Sequence, residues 1–152
     1  MKLRSCLFVA FLLAFSSQIC FSQVKPKPVL PPAAQNAKSS PAYAEVLLRK
    51  TELSAELEAL LVEYTEEFPK VKELRTETGL LQKEMDRLLA AGGAEASRLS
   101  AALGRLMVRK CEIGTDLWSL QLQFNDQHPD VKRARRRLET FEAAINDILQ
   151  AK

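Results

Sequence analysis

The chain has 152 residues, with 22 basic and 19 acidic side chains. That length leaves room for one domain. A net charge of only +3 argues against a general nucleic-acid role.

Lys2 and Arg4 precede the apolar run "CLFVAFLLAF", Cys6 to Phe15, closed by the polar "SSQ". This pattern predicts a signal peptide over residues 1–22, cleaved after Ser22. The run is too short to span a bilayer, which needs about 20 apolar residues. An uncleaved N-terminal anchor is the alternative. Lipid attachment at Cys20 is disfavoured, because bulky Ile19 stands where a small residue is wanted. The expected location is secreted or periplasmic, with no transmembrane helix in the mature chain. Export also weighs against a nucleic-acid partner. Cys6 and Cys20 leave with the signal, so only Cys111 remains and no internal disulfide can form. A lone thiol in an exported protein is either buried or links two chains, and burial is the expectation here.

Residues 23–41 include "VKPKPVLPPAAQNAKSSP", which holds five of the seven prolines and no aromatic residue. Such a segment buries little apolar surface and reads as a flexible linker. A Pro-rich ligand for a partner module is the other reading. Ser40-Pro41 then forms a helix start, with a good N-cap followed by proline at the first helical position.

From there the pattern is helical throughout. Leu53, Leu57, Leu60 and Tyr64 follow helical spacing, as do Val71, Leu74, Thr78, Leu81, Met85 and Leu88. "AAGGAE", Ala90 to Glu95, breaks the pattern. Ile113, Leu117, Leu120 and Phe124 then resume it, and Val131, Ala134, Leu138, Phe141, Ile145 and Ile148 continue it. No stretch alternates with period two, so no sheet is predicted. Offset by 60, residues 43–91 align with 103–151 without a gap. The proline, the aromatic residue and the core phase all match, which points to duplication. The predicted organisation is helical repeat 1 over 42–91, a Gly turn over 92–94 and helical repeat 2 over 95–152. Residues 43–90 carry 11 acids and 7 bases, whereas 95–152 carry 8 acids and 10 bases. Segments of opposite sign can lie side by side without repulsion.

Two readings of Pro69 and Pro129 compete. In one, each proline starts a new helix, since Phe68 and His128 are disfavoured in helical geometry ahead of it. An interior proline would cost about 3 kcal/mol. The result is an antiparallel four-helix bundle. In the other, each repeat is one long helix kinked at its proline. Positions 57, 64, 71, 78 and 85 share one heptad register, as do 117, 124, 131, 138 and 145. The result is then a long antiparallel coiled-coil hairpin. Both are all-α.

The repeated unit comprises Tyr64, Phe68, Pro69 and Val71, then Phe124, His128, Pro129 and Val131. It is similar to the Tyr-x-x-x-His-Pro-x-Val element in the periplasmic helical region of polysaccharide co-polymerases, the chain-length-determinant family. Phe68 and Phe124 depart from that element. The resemblance implies an extracytoplasmic helical coil in an envelope setting. The family's transmembrane helices, α/β base and kinase domain have no counterpart in the two short copies, so chain-length control is not implied.

Candidate chemistry is sparse. His128 is the sole histidine, and a single histidine beside Asp126 and Asp130 makes a poor metal site. It is expected to cap or pack at the proline. Cys111 has no neighbouring base to activate it. "EYTEE", Glu63 to Glu67, spaces its acids as a solvated face rather than a cleft. Gly92-Gly93 lacks the Lys-Ser/Thr of a phosphate loop. No catalytic residue, metal or cofactor is assigned. The sharpest local feature is "KRARRR", where Lys132, Arg133, Arg135, Arg136 and Arg137 form a candidate anion-binding patch. The alternative is a solvated face paired with the acidic first half. Trp118 lies off the main stripe, in the core or at a contact. The expected function is an exported, non-catalytic helical scaffold or interaction protein of the cell envelope, with a protein partner or self-association. An accessory of exopolysaccharide export that binds anionic polysaccharide through the basic helix is the alternative.

Overall fold

A computed structural model describes residues 32–91 and 96–150. The expected signal peptide, the first part of the expected linker and the Gly92-Gly93 of the expected turn lie outside the described residues. The described residues form five α-helices: α1 (Pro32–Lys38), α2 (Pro41–Leu61), α3 (Pro69–Ala90), α4 (Ala101–Gln123) and α5 (Pro129–Gln150). A single 3₁₀ turn, Ala96–Arg98, precedes α4. No strand occurs among the described residues, so the all-α class holds.

Local chemistry starts each long helix. Ser40 and Ser100, 60 residues apart, cap α2 and α4. Their hydroxyl oxygens accept from the Tyr43 and Leu103 amides, at 3.2 and 3.4 Å. Each cap satisfies an amide that the first turn leaves unpaired. Pro69 and Pro129 sit at the first position of α3 and α5, where the missing N–H costs nothing. Phe68 is extended, with φ −61° and ψ 130°, as a residue before proline prefers.

The prolines therefore turn the chain, and the kinked long hairpin is overturned. Gly114 approaches Leu80 and Leu138, while Lys110 bonds Glu84 and Glu142. Partner numbers rise as α4 numbers fall, so α3 and α5 both run antiparallel to α4. Ala42 meets Gly104 and Arg49 meets Glu112, so α2 and α4 run parallel. The molecule is thus a stack of two helical hairpins, α2–α3 and α4–α5, with both proline turns at one end. α4 packs against α2, α3 and α5. Tyr64 and Phe124, placed on the core stripe by their heptad register, lie in the turns and are exposed.

The core runs through this stack. Val46 and Leu53 of α2, Leu74, Leu81 and Leu88 of α3, and Leu103 and Met107 of α4 are all buried in one cluster, which Ile145 of α5 joins. Thr78, on the predicted stripe, has a buried hydroxyl with no hydrogen-bond partner.

The linker expectation also needs correction. Residues 32–38 form α1, which packs on α2 and α3 with Ala37 fully buried. Composition averaged over 23–41 hid this. Four of its five prolines lie before or at the first position of "PAAQNAK", which is otherwise mostly good helix formers, and the fifth, Pro41, starts α2. The hairpin behind it supplies the apolar surface that the segment lacks.

Candidate functional site: the paired turns and the basic helix

The two turns share their closing backbone hydrogen bonds. The amides of Tyr64 and Phe124 bond the Leu60 and Leu120 carbonyls, each at 2.8 Å. Those of Phe68 and His128 bond the Thr65 and Asn125 carbonyls, each at 3.0 Å. Tyr64 stacks on Phe68 with ring centroids 4.2 Å apart, and Phe124 on His128 at 4.1 Å. Such a stack contributes about 0.5–1.5 kcal/mol beyond area burial. Val71 and Val131, two residues after each proline, are buried beneath the turns. Arg75 closes the first turn onto Glu66, and Arg135 closes the second onto Asp126. All eight motif residues singled out in the sequence come together at this end of the molecule.

The copies differ in their side-chain bonds: the Asn125 Oδ1 accepts from the Gln127 amide at 3.0 Å in the second turn, and Lys72 bonds Glu67 in the first. The His128 ring nitrogen Nδ1 accepts from the Asp130 amide at 3.3 Å, so the imidazole caps α5. Phe68 makes no such bond to α3. The capping expectation for His128 is met.

Apolar side chains stand out at this end. Val62 is 83% exposed and Leu122, its counterpart, 67%. Tyr64 and Phe124 are exposed beside them. Trp118 and Leu122 of α4 line an open groove with Phe68, Pro69 and Lys72. Trp118 therefore bridges the two hairpins at the turn end.

The basic segment is less uniform than its sequence. Arg133 pairs with Asp130 and Arg135 with Asp126, each within its own repeat. Asp126 is held below the usual carboxylate range, first by the Gln121 hydrogen bond and then by Arg135. Asp130 is held low by Arg133. Lys132, Arg136 and Arg137 are exposed. Among the described residues, no ion pair joins this segment to the acidic first half. Pairs between the halves run in both senses instead: Lys110 to Glu84, but Arg49 to Glu112 and Arg87 to Glu142.

Those inter-half pairs form a ring that sequence reasoning missed. Lys110 bonds Glu84 and Glu142, and Arg87 bonds the same two carboxylates at 3.5 and 3.0 Å. The ring ties α3, α4 and α5 together. Burial disfavours the Lys110 charge, but the hydrogen bonds to Glu142 and Glu84 outweigh it and raise its pKa. The Lys110 hydrogen bond holds Glu142 low. Next to the ring, Cys111 is buried and free. Its thiol is pushed up to about 12, first by desolvation and then by Glu84. A thiol so held does not form a nucleophilic thiolate near neutral pH.

Among the described residues, no helix is long and apolar enough to cross a membrane, and no three His, Cys, Asp or Glu side chains gather as metal ligands would. No family description, curated protein or solved structure matches the chain.

Proposed function

We propose that the protein is an exported, non-catalytic interaction module of the cell envelope. Its working end is the one that carries both proline turns. The observation that supports this is the duplicated set of exposed apolar residues, Val62 with Leu122 and Tyr64 with Phe124. Apolar side chains left in water at two matched sites cost solubility, and such patches mark contacts. The polysaccharide co-polymerase resemblance falls on these turns and agrees with an envelope setting.

Photo-crosslinking in the exporting cell tests the reading. A photoreactive residue at position 62 or 122 should give discrete adducts, and one at Lys83 on α3 should give none. Absence of adducts at both 62 and 122 would sink it.

A second reading is supported by the exposure of Lys132, Arg136 and Arg137. These cations would bind an anionic polysaccharide. The triple variant K132E/R136E/R137E should then lose retention on a polyuronate column while keeping its helical circular dichroism. Retention equal to the parent protein excludes this reading.

A further inference from the structure

The two hairpins of one chain meet through an interface whose two halves are each present a second time, uncovered. On α4, Leu103, Gly104, Met107, Cys111 and Thr115 are buried. Sixty residues earlier, α2 carries Tyr43, Ala44, Leu47, Thr51 and Ala55 at the matching positions; Tyr43 is half-buried and the other four are exposed. Leu48, matching Val108, is 58% exposed. The receiving side repeats in the same way. α4 is met by Ala42, Glu45 and Arg49 of α2 and by Leu80 and Glu84 of α3. The first four match Ala102, Arg105, Arg109 and Thr140, which are exposed.

We infer that a second copy of this chain covers these faces, its α2 seating on the free α4–α5 face of the first as α4 seats on α2–α3 within one chain. Charge supports that occupant. The free receiving face carries Arg105, Arg109 and Arg137, while the first repeat has 11 acids against 7 bases. One pair keeps its register. Arg49 meets Glu112 at 4.0 Å within the chain, and the matching residues, Arg109 and Glu52, are exposed. The Trp118 contact with the first turn becomes Glu58 facing the second, where Lys132 and Arg133 stand. Ala44 carries a methyl group where Gly104 has none, so copies meet less closely there than the two hairpins of one chain do. Stacked hairpins extend this way in repeat proteins. The contact is head-to-tail, so it grows into open chains rather than closing at a dimer.

This inference deepens the interaction-module reading but uses a different surface. Crosslinks at 62 and 122 therefore test that reading separately. The experiment here is sedimentation of the purified protein over a range of concentrations, with two variants. Leu48→Asp with Glu52→Arg spoils the α2 face, and Arg105→Glu with Arg109→Glu spoils the receiving face. All four positions are exposed or line the open α2–α4 groove, and unchanged circular dichroism and melting temperature confirm the fold. The parent protein should gain mass with concentration beyond a dimer. Each variant alone should stay monomeric, and an equimolar mixture should form a one-to-one complex that grows no further. A parent protein monomeric at every concentration overturns the inference. So does a mixture in which only the variant with an intact α2 face dimerises, which would mean a symmetric α2-to-α2 contact.

Discussion

α2 and α4 descend from one sequence pattern and are capped alike, yet they live in different surroundings. Met107 is fully buried, while Leu47, its counterpart, is 43% exposed. Cys111 is buried and Thr51 is exposed. α4 has neighbours on two sides, and α2 has its partner hairpin on one side only. The turns behave in the opposite way. They keep the same hydrogen bonds and ring stacking in both copies, because their partners lie within a dozen residues. Duplication thus preserves what neighbours in sequence build, and packing decides everything else.

Substitutions at matched positions should break this comparison most sharply. Met107→Ala removes a fully buried side chain and should cost about 2–5 kcal/mol, whereas Leu47→Ala, in protein dilute enough to be monomeric, should cost about 0.5 kcal/mol or less. Urea titration of the two variants would measure the gap. Equal losses would mean that α2 has a covering the single chain lacks.

The glycines give a second contrast. A Cβ at Gly104 would lie 2.7 Å from the Ala42 carbonyl oxygen and from the Glu45 Cβ. Gly104→Ala must push two backbones apart, and overpacking of this kind costs about 1–3 kcal/mol. Nothing lies within 4 Å of a Cβ at Gly79. Gly79→Ala should therefore stabilise α3 by about 0.5–1 kcal/mol. Thermal melts should move in opposite directions for the two.

The caps should differ by less. Ser100→Ala loses one cap bond, worth about 1 kcal/mol. Ser40 is buried, and its hydroxyl also donates to the Ala37 carbonyl at 2.6 Å, anchoring α1. Ser40→Ala should cost more than its partner, and hydrogen exchange should show the added loss in residues 32–38.

The smallest effect is on pH dependence. Lys110 holds the Glu142 carboxyl below its unfolded value in the folded protein. Its contribution is therefore present above the unfolded value, about 4.3, and lost as pH falls through the folded one. Glu142→Gln should flatten the acid side of the melting-temperature profile and leave the shape near neutrality alone. An unchanged acid slope would show that the ring of charges contributes nothing there.

Much of the fold was legible from local signals. The helix start at Ser40-Pro41, the all-α class and the repeat all follow from caps, prolines and apolar spacing, whereas a helix start at Pro69 was one of two open readings. Heptad phase misled at Tyr64 and Phe124. Register carried across a turn is indistinguishable, in sequence, from register carried along a helix. The α4 face that meets α2 and α3 was missed because Gly104, Cys111 and Thr115 are too small to stand out in a hydropathy pattern. At the candidate site, the motif residues were all named beforehand. The exposure of Val62 and Leu122 was not, although each lies two residues from the stripe positions on either side and so on the opposite face of the helical pattern.

By itself, the sequence determined the all-α class, the capped helix start at Ser40-Pro41 and that one unit is written twice. Those depend on contacts between residues a few positions apart. Only the tertiary structure decided that the prolines reverse the chain and that the hairpins stack in parallel. It also decided that Lys110 closes a ring of charges while Lys50, its counterpart, does not. Each of those depends on which surfaces meet, and surfaces meet through the sum of many small burial energies that no single residue announces.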